Sequence, residues 1–439
     1  MQQRSGFRVL SPTSIFYGWW IVLAAFMVAF IYSGFFFYDF TLFVTPIRED
    51  IPDVGAAIEP AFIVATVLGA VVSPLLGGFF DKSGPKPVVG GGMLLGAAGF
   101  AIMGVMTEPW HLYIGLTLAG LGPIVFFAGG VSAVVNWFDR MRGRAVGITV
   151  VGLGAGGILT RPSLYVMEAI GWRDSFLLMA AIIIIVLLPM AFVLRRSPED
   201  YGMRPDGDEV EGADASGALQ GPILYGLPFT QILRTPTFWF LSLLMFLSFW
   251  PIGALQIHQA PFMEDAGYSR LAAADAVGAM ALITIVGRIG GGWLADKMDP
   301  RRGTVIATLL QAIGIAAFAL SRPEANWYLI LFFVAFSPGF GAIIVLQPAL
   351  LATYFGRRAF GAAQGFLWTM VAMAVSVSPY VATLSDEYLG GMQNGFLMFA
   401  AFSLLAMILV FVVLPRPGIV RPRGRVIIPP EPESSGTRR

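Results

Sequence analysis

Two stretches of sequence decide the fold: GGFFDKSGPKP at residues 77–87 and GGWLADKMDPRR at residues 291–302. In each stretch a glycine lies four residues before an aspartate, and a lysine follows that aspartate directly. These residues are Gly77, Asp81 and Lys82 in the first stretch and Gly292, Asp296 and Lys297 in the second. Each stretch comes after a long apolar segment, so each is expected to connect two helices.

A second pair of similar stretches lies two predicted helices further along the chain. Residues 137–147 read WFDRMRGRAVG, and residues 354–365 read YFGRRAFGAAQG. Each has an aromatic residue followed by Phe, then basic residues that include Arg140 or Arg357, then small residues that open a helix. Both pairs are offset by about 216 residues. Two matches at one offset indicate an internal duplication of six helices, a plan that many membrane transporters share.

The composition is that of a membrane protein. Of the 439 residues, 56% are hydrophobic and 13% are charged, whereas soluble domains carry about 25% charged residues. Apolar stretches recur at lengths near the roughly 20 residues that a helix needs to cross a bilayer. The predicted spans are 17–44, 58–80, 87–106, 111–136, 145–168, 174–194, 237–262, 272–295, 304–320, 327–352, 361–384 and 393–415.

Polar stretches divide the chain into parts. Residues 1–196 are predicted to form an N-terminal six-helix bundle, and residues 236–416 a C-terminal one. The segment 197–235 is acidic, rich in glycine and poor in aromatic residues, which predicts a flexible cytoplasmic linker. The tail 417–439 is rich in proline and arginine and is predicted to be disordered and cytoplasmic.

The distribution of basic residues predicts the orientation in the membrane. If both termini lie in the cytoplasm, 22 of the 28 Lys and Arg residues fall on the cytoplasmic side. Four fall on the opposite side, and two, Arg161 and Arg288, lie within predicted helices. Because cytoplasmic loops carry the excess of positive charge, we expect cytoplasmic termini in a plasma (inner) membrane. The retained first helix follows Arg4 and Arg8 without a prompt cleavage site.

These residues resemble the signature of the major facilitator superfamily, G-x-x-x-D-[KR]-x-G-x-[KR]. GFFDKSGPK at 78–86 keeps it with Gly77 ahead, and the second half keeps it more loosely. The resemblance covers essentially the whole chain. It implies an all-α membrane protein with twelve transmembrane helices in two six-helix pseudo-repeats. It also implies gradient-driven transport by alternating access rather than an enzymatic reaction.

A narrower resemblance is to the monocarboxylate transporter and oxalate/formate antiporter branch. The segments that carry this resemblance are YGWWIVLAAF (17–26), TPTFWFL (235–241), HQAPFMEDAGYS (258–269) and GRIGGGWLAD (287–296). In that branch an arginine at the position of Arg288 contacts the substrate carboxylate. The basic residue of some members in the first helix is replaced here by Tyr38 or Asp39. No lysine lies within the eleventh predicted helix, which counts against oxalate.

Ionisable residues inside the predicted spans are the candidates for substrate and proton binding, because burial in hydrocarbon is costly. Arg288 lies about 12 Å from the end of its helix, and its planar fork matches a carboxylate. Arg161 precedes Pro162 and would extend a positive entry path, although an interfacial role explains it as well. For Asp39 the alternatives are exchange of a proton, a pair with Arg161 and contact with the water outside. For His258 they are a change of charge in the transport cycle, as histidine side chains can undergo, and an interfacial hydrogen bond. Tyr38, Trp250 and Trp368 are candidate cavity residues.

The paired loops are candidates for the gate. Asp81 and Asp296 are expected near the beginnings of the eleventh and fifth helices, where exposed N–H groups favour a carboxylate. We predict that each aspartate latches the opposite half when the carrier faces outward. The further gating candidates are Gly77, Lys82, Gly292, Lys297, Arg140 and Arg357.

Several classes of function are disfavoured by what the sequence lacks. The chain has no cysteine and two histidines, and its net charge is +1, so no metal site, cofactor or nucleic-acid partner is expected. The glycine-rich GLGAGG at 152–157 lies in an apolar helix rather than after a strand, so it does not fit a dinucleotide site. The expected partners are a small organic anion, protons and the bilayer, and we expect a monomer. A multidrug or sugar carrier and a non-transporting receptor or scaffold stay open as alternatives.

Overall fold

The computed structural model describes residues 16–207, 226–413, 419–420 and 426–427. Within these ranges, twelve helices are long and apolar enough to cross a membrane, as the sequence predicted. They are α1 Gly18–Asp39, α2 Pro60–Ser83, α3 Pro85–Gly104, α4 Pro109–Trp137, α5 Arg142–Ile170, α6 Trp172–Val193, α7 Pro236–Asp265, α8 Leu271–Lys297, α9 Pro300–Ala319, α10 Trp327–Phe355, α11 Phe360–Tyr388 and α12 Met392–Val412. The all-α prediction is therefore confirmed.

Two seams join the half that contains α1–α6 to the half that contains α7–α12. Helix α2 packs along α11, and α5 packs along α8. Asp81 near the end of α2 and Asp296 near the end of α8 lie at the same end of these seams, which we call the latch face. Because each seam pairs one helix from each half, any sliding or rocking of the halves has to move both seams together.

Several helices contain local irregularities that shift side chains out of simple helical register. Helix α1 contains a π-helical turn, Gly34–Asp39, and continues beyond the predicted span as the helix Phe40–Asp50. Helix α5 contains a 3₁₀ turn, Gly156–Leu159, and these two irregular turns contact each other. Turns of this kind inside helices are frequently found at functional sites. The π-helical turn of α1 holds Tyr38 and Asp39 against α5.

Other helical segments complete the described chain. Helix α2 begins before its membrane span, in the longer helix Pro52–Ser83. Further π-helical turns are Phe126–Val131 in α4, Ile183–Leu187 in α6 and Leu409–Val413 at the end of α12. A 3₁₀ turn, Pro323–Ala325, precedes α10.

The segment predicted as a linker contains regular structure within the described residues. It forms two 3₁₀ turns, Glu199–Tyr201 and Pro205–Gly207, and a short helix, Phe229–Ile232, before α7. Ser197 is fully buried, and residues 197–207 pack on the latch face, while the flexibility of the linker stays a prediction. Residues 208–225 lie outside the described residues.

The described part of the tail contains two strands of two residues each. Strand β1, Ile419–Val420, pairs antiparallel with β2, Val426–Ile427. Ile419 lies opposite Ile427, and Val420 lies opposite Val426. The remainder of the tail for which disorder was predicted, and residues 1–15, lie outside the described residues.

Candidate functional site

Asp81 connects the two halves at the α2/α11 seam. Its Oδ1 accepts a hydrogen bond from the Gly361 amide at 2.9 Å, and its Oδ2 accepts one from the Ala362 amide at 2.9 Å. Both amides belong to the first turn of α11, whose N–H groups have no carbonyl partner within the helix. The backbone carbonyl of Asp81 also accepts from Arg196. A carboxylate with two amide donors at a helix N-terminus is a favourable, charge-assisted contact.

Asp296 makes the equivalent contact at the α5/α8 seam. Its Oδ1 accepts from the Gly143 amide at 2.6 Å, and its Oδ2 accepts from the Arg144 amide at 3.1 Å. The Arg144 Nε donates to the same oxygen at 2.8 Å, which completes an ion pair. The carboxylate of Asp296 is nearly buried in the seam, whereas the side chain of Arg144 is half exposed. The internal repeat of the sequence is therefore also a repeat of contacts.

Glycines permit the close approach at both seams. A Cβ added to Gly77 would collide with the carbonyl oxygen of Gly361, and one added to Gly361 would lie 2.6 Å from the carbonyl oxygen of Gly77. At the other seam, a Cβ on Gly292 would lie 2.5 Å from the carbonyl oxygen of Gly143. Each aspartate latch thus lies beside a reciprocal contact of two glycine backbones, which accounts for the spacing of glycine and aspartate in the signature.

Arg357 forms a third connection on the latch face. One nitrogen donates to the carbonyl of Asn136 in α4, and Nη2 donates to Glu199 Oε1 at 2.6 Å. Arg357 is 6% exposed, so this ion pair is shielded from water. It joins the turn before α11 both to the first half and to the linker. Arg357 was among the predicted gating residues, whereas Glu199 was not.

The other basic residues of the predicted gate lie at the surface. Lys82, Lys297 and the side chain of Arg140 are exposed. The side chain that reaches Asp296 is that of Arg144, four residues beyond Arg140. The repeat predicted where the basic cluster lies in the chain but not which of its side chains contacts the seam.

Arg288 lies in α8 and faces α5. It is 6% exposed, and its Nη1 donates to the Val150 carbonyl at 3.2 Å. Its Nε is buried without a hydrogen-bond partner, and none of the ion pairs of the described residues includes Arg288. The hydroxyl of Tyr38 lies within electrostatic range of the guanidinium group. A Cβ on Gly154 would collide with Nη1, so the glycine-rich part of α5 makes room for this cation.

Asp39 is buried at the π-helical turn of α1. The Ser163 hydroxyl of α5 donates to Oδ2, whereas Oδ1 is buried without a hydrogen-bond partner. Asp39 is fully buried. Arg161, two residues before Ser163, is exposed instead of facing the carboxylate. The structure therefore places Tyr38 near Arg288 and Asp39 against Ser163 of α5, and leaves Arg161 exposed.

The predicted aromatic and histidine candidates divide into two groups. The ring of Trp368 in α11 stacks on Phe127 in α4, with centroids 3.7 Å apart, so this pair spans the halves. The indole N–H of Trp368 is buried without a partner. Trp250 instead packs against α12, at 5.3 Å from Phe402 and 5.8 Å from Phe399. His258 lies 3.1 Å from the Pro379 carbonyl within the second half. Neither Trp250 nor His258 is brought to Arg288.

Arg288 and Trp368 occupy comparable depths. Trp368 lies eight residues after the first residue of α11, and Arg288 lies nine residues before the last residue of α8. At a rise of 1.5 Å per residue, both are about 12–14 Å from the latch face. A cation and an indole N–H, each with an unused donor, thus lie at one level between the halves. Within the described residues no group of three His, Asp or Glu side chains is placed to hold a metal.

The described residues match known transporters in sequence and structure. The family model for the Major Facilitator Superfamily matches residues 50–379 and 260–431. The chain is 26% identical to the oxalate:formate antiporter of Oxalobacter formigenes, over 91% of this chain and 92% of that protein. It is 24% identical to the sialic acid transporter NanX of Escherichia coli, over 87% and 91%. It is 24% identical to monocarboxylate transporter 13 of Rattus norvegicus, over 91% and 89%.

The proton:xylose symporter XylE has a similar fold, with a TM-score of 0.69 over 91% of this chain and 96% of that one. At a sequence identity of 15%, this similarity supports the fold and nothing more. The family match extends through both halves and both seams, and the relatives named above are transporters. The chain is therefore an integral membrane transporter and belongs to the Major Facilitator Superfamily.

Proposed function

We propose that this transporter moves a small organic anion with one carboxylate group by alternating access between the two halves. Arg288 binds the carboxylate, and Tyr38 and Trp368 supply neighbouring donors. The latch face is oriented toward the cytoplasm of the plasma membrane, with both termini on that side, and the protein acts as a monomer. The orientation rests on the excess of Lys and Arg in the segments on that side.

The observation that carries the proposal is the unpaired charge of Arg288. A buried cation is costly unless an anion and hydrogen-bond acceptors compensate it. The carbonyl of Val150 satisfies one donor, while Nε has no partner. A substrate carboxylate would supply the missing negative charge and accept two parallel hydrogen bonds from the planar guanidinium. A transporter for an anion requires such a fixed cation at a level between its two gates.

The number of buried cations favours a monoanion. Among the described residues, Arg288 is the one basic side chain buried in the middle of a membrane span, since Arg161 is exposed. One guanidinium compensates one carboxylate, whereas a dianion would leave a second charge without a partner in a site of low dielectric. The named relatives are transporters of oxalate and formate, of sialic acid and of monocarboxylates, and they agree with an acidic solute without deciding its charge.

Asp39 offers a route for proton coupling. Its Oδ1 is buried without a partner, so protonation of this oxygen would remove a desolvated negative charge. Such a proton would enter together with the anion in symport. Anion exchange is the alternative, in which the second anion takes the place of the proton as the counter-charge.

Uptake into proteoliposomes tests the proposal. Labelled lactate, pyruvate, formate, oxalate and a neutral sugar are offered with and without a pH gradient, at equal concentrations. We expect accumulation of at least one monocarboxylate, competition among monocarboxylates, and little uptake of oxalate or the sugar. Uptake of only the sugar or of cationic drugs would reassign the substrate class. Tight binding of a solute without transport would favour a receptor.

A further inference from the structure

The residues directly before the linker are anchored to the latch face by side chains of the first half. Trp137 Nε1 donates to the Arg195 carbonyl at 3.1 Å, and Asn136 Nδ2 donates to the Arg196 carbonyl at 3.1 Å. The Arg195 guanidinium lies between two rings, 4.0 Å from the centroid of Tyr17 and 4.1 Å from that of Tyr201. These contacts fix the segment that leads to Asp206, so the linker at this point is a structural part of the first half.

Asp206 binds the turn between α4 and α5 with its carboxylate. Oδ2 accepts from the amide of Asp139 at 3.0 Å and from that of Arg140 at 2.7 Å. Oδ1 accepts from the amide of Met141 at 3.3 Å. Three consecutive N–H groups that would otherwise point into water are thereby held in one direction. Three donors on one carboxylate are a strong, directional arrangement.

The backbone of Asp206 is also unusual. Its φ of 61° makes it the one non-glycine residue with a positive φ among the residues that the structure describes. Side chains other than glycine disfavour this left-handed conformation, and Asp and Asn tolerate it best. A residue in this conformation persists when its surroundings hold it there. At this position the surroundings are the three amides, which need the carboxylate in that direction.

The turn that Asp206 holds leads directly into the first turn of α5, whose amides Asp296 binds from the other half. Asp206 occupies the amides of residues 139–141, and Asp296 occupies those of Gly143 and Arg144. The two sets are separated by one residue, Arg142, which begins α5. Because no flexible segment lies between the two sets, holding the first set constrains the position of the second.

We propose that Asp206 is a positioning residue of the gate at the latch face. It holds the turn 139–141, and with it the start of α5, before Asp296 arrives, and so stabilises the state in which the α5/α8 seam is closed. Loss of the carboxylate leaves Asp296 with amides that must be ordered at the moment of closure. The linker thereby sets the balance between the closed and the open latch face. This role does not depend on the identity of the substrate.

Spin-label distances test this role without a substrate. The chain has no cysteine, so cysteines introduced at Lys86 and Arg302 can be labelled selectively. Both residues are exposed, and they begin α3 and α9 at the latch face of opposite halves. Double electron–electron resonance in nanodiscs then reports two distance populations, a short one for the closed and a long one for the open latch face.

Two variants of Asp206 and one control variant test the role of its carboxylate. Asp206→Gly relaxes the positive φ and removes all three contacts, and we expect the ratio of long to short distances to rise about threefold or more, which corresponds to the loss of about one net hydrogen bond. Asp206→Asn keeps one acceptor oxygen and tolerates the backbone conformation, so a smaller rise is expected. The control is Asp200→Gly, which removes an exposed linker carboxylate and should leave the ratio unchanged.

A double-variant comparison shows whether Asp206 acts through Asp296. In an Asp296→Ala background the effect of Asp206→Gly on the distance ratio should disappear, because the turn no longer has a ligand from the other half. Equal effects in both backgrounds would overturn the proposal, as would a parental ratio in Asp206→Gly. If Asp206→Gly does not yield folded protein, Asp206→Asn is compared in the same two backgrounds, and the same two outcomes decide.

Discussion

Asp296 of α8 accepts a hydrogen bond from the Gly143 amide of α5 at 2.6 Å, and this contact is one of several that join the two halves of the transporter. Asp81 makes the equivalent contact with Gly361 at 2.9 Å. The two latches differ in one respect, because Asp296 also pairs with the side chain of Arg144. Neutralising the two aspartates should therefore have unequal effects.

We expect Asp81→Asn and Asp296→Asn both to favour the open latch face, with the larger shift in Asp296→Asn. Each change weakens charge-assisted hydrogen bonds that contribute roughly 1.5–3 kcal/mol, and the second also removes an ion pair. The ratio of long to short spin-label distances between positions 86 and 302 measures the shift. The latch hypothesis is abandoned if both variants keep the parental ratio and the parental rate of transport.

The glycine contacts should be as sensitive as the carboxylates. Gly292→Ala introduces a Cβ 2.5 Å from the Gly143 carbonyl oxygen, so the α5/α8 seam must separate to accommodate it. We expect the open latch face to be favoured and transport to slow. Gly290→Ala is the matched control, because a Cβ at that position of the same helix has no atom within 4 Å. Equal behaviour of the two variants in the distance measurement would contradict the close-packed seam.

Arg288 should determine the affinity for the anion. Arg288→Ala removes the cation, and we expect binding to weaken by roughly 2–5 kcal/mol because the substrate carboxylate is left without a partner. Arg288→Gln keeps a donor for the Val150 carbonyl but not the charge, so it separates the structural contact from substrate binding. Arg288→Lys should also fail largely, since a point charge cannot form two parallel hydrogen bonds. Equilibrium binding of a labelled monocarboxylate to purified protein measures these changes.

Two results would argue against this role for Arg288. The first is an unchanged anion affinity in Arg288→Ala that elutes as a single species in gel filtration. The second is equal loss of binding for a neutral substrate, which would indicate a collapsed cavity rather than a missing charge. Arg161→Gln is the control, because it removes an exposed arginine from a membrane span.

Asp39 should couple transport to protons. Asp39→Asn removes the titrating oxygen but keeps an acceptor for the Ser163 hydroxyl. We expect it to abolish accumulation driven by a pH gradient while exchange of internal for external solute continues. Asp50→Asn changes a carboxylate that pairs with Arg173 at the surface, and it should keep the pH response. The same pH dependence in Asp39→Asn and the parent would leave Asp39 without a role in coupling.

The orientation of the molecule can be tested with single cysteines. A cysteine at Asp200, in the linker, should react with a membrane-impermeant reagent only from the cytoplasmic side. A cysteine at Asp53, in the first turn of the helix that leads into α2, should react only from outside; both residues are exposed. Labelling of both positions from one side would contradict the proposed orientation and the number of spans between them.

The sequence predicted the helices because hydropathy over about 20 residues is a property of the chain alone. The sequence did not predict the ends of helices where a polar helix and a polar loop have the same hydropathy. Residues 45–50 read TPIRED, so the predicted first span stopped at 44, yet the helix continues to Asp50. Hydropathy reports contact with lipid, and a helix that leaves the membrane loses that signal without losing its hydrogen bonds.

The linker shows a second limit. Acidic residues in a glycine-rich segment usually remain solvated, and this composition predicted flexibility. In the structure Glu199 contacts Arg357, and Asp206 contacts the amides of residues 139–141, which the composition did not predict. No local sequence pattern predicts hydrogen-bond partners that lie more than sixty residues away in the chain.

The sequence selected residues for the candidate site but did not predict the directions in which their side chains point. The repeat predicted that Asp81 and Asp296 lie beside helices of the opposite half, and the cost of a buried cation selected Arg288 as a candidate, whose role in binding stays a prediction. Trp250 and Trp368 could not be ranked, because rotation about a helix axis decides which aromatic side chain faces the other half. In the structure Trp368 contacts Phe127 across the halves, and Trp250 turns to α12.

Each half supplies one latch aspartate and one helix N-terminus whose first amides have no partner within the helix. Each aspartate binds the helix N-terminus of the other half. Such reciprocal pairing is the property of an isologous dimer interface, in which the same patch occurs on both partners. The molecule is in this sense a dimer of unequal protomers on one polypeptide. A substitution in a signature loop therefore weakens one of two related interfaces and leaves the other to hold the protomers together. The covalent connection, in turn, allows the two protomers to diverge, so that one carries the cation and the other the buried carboxylate.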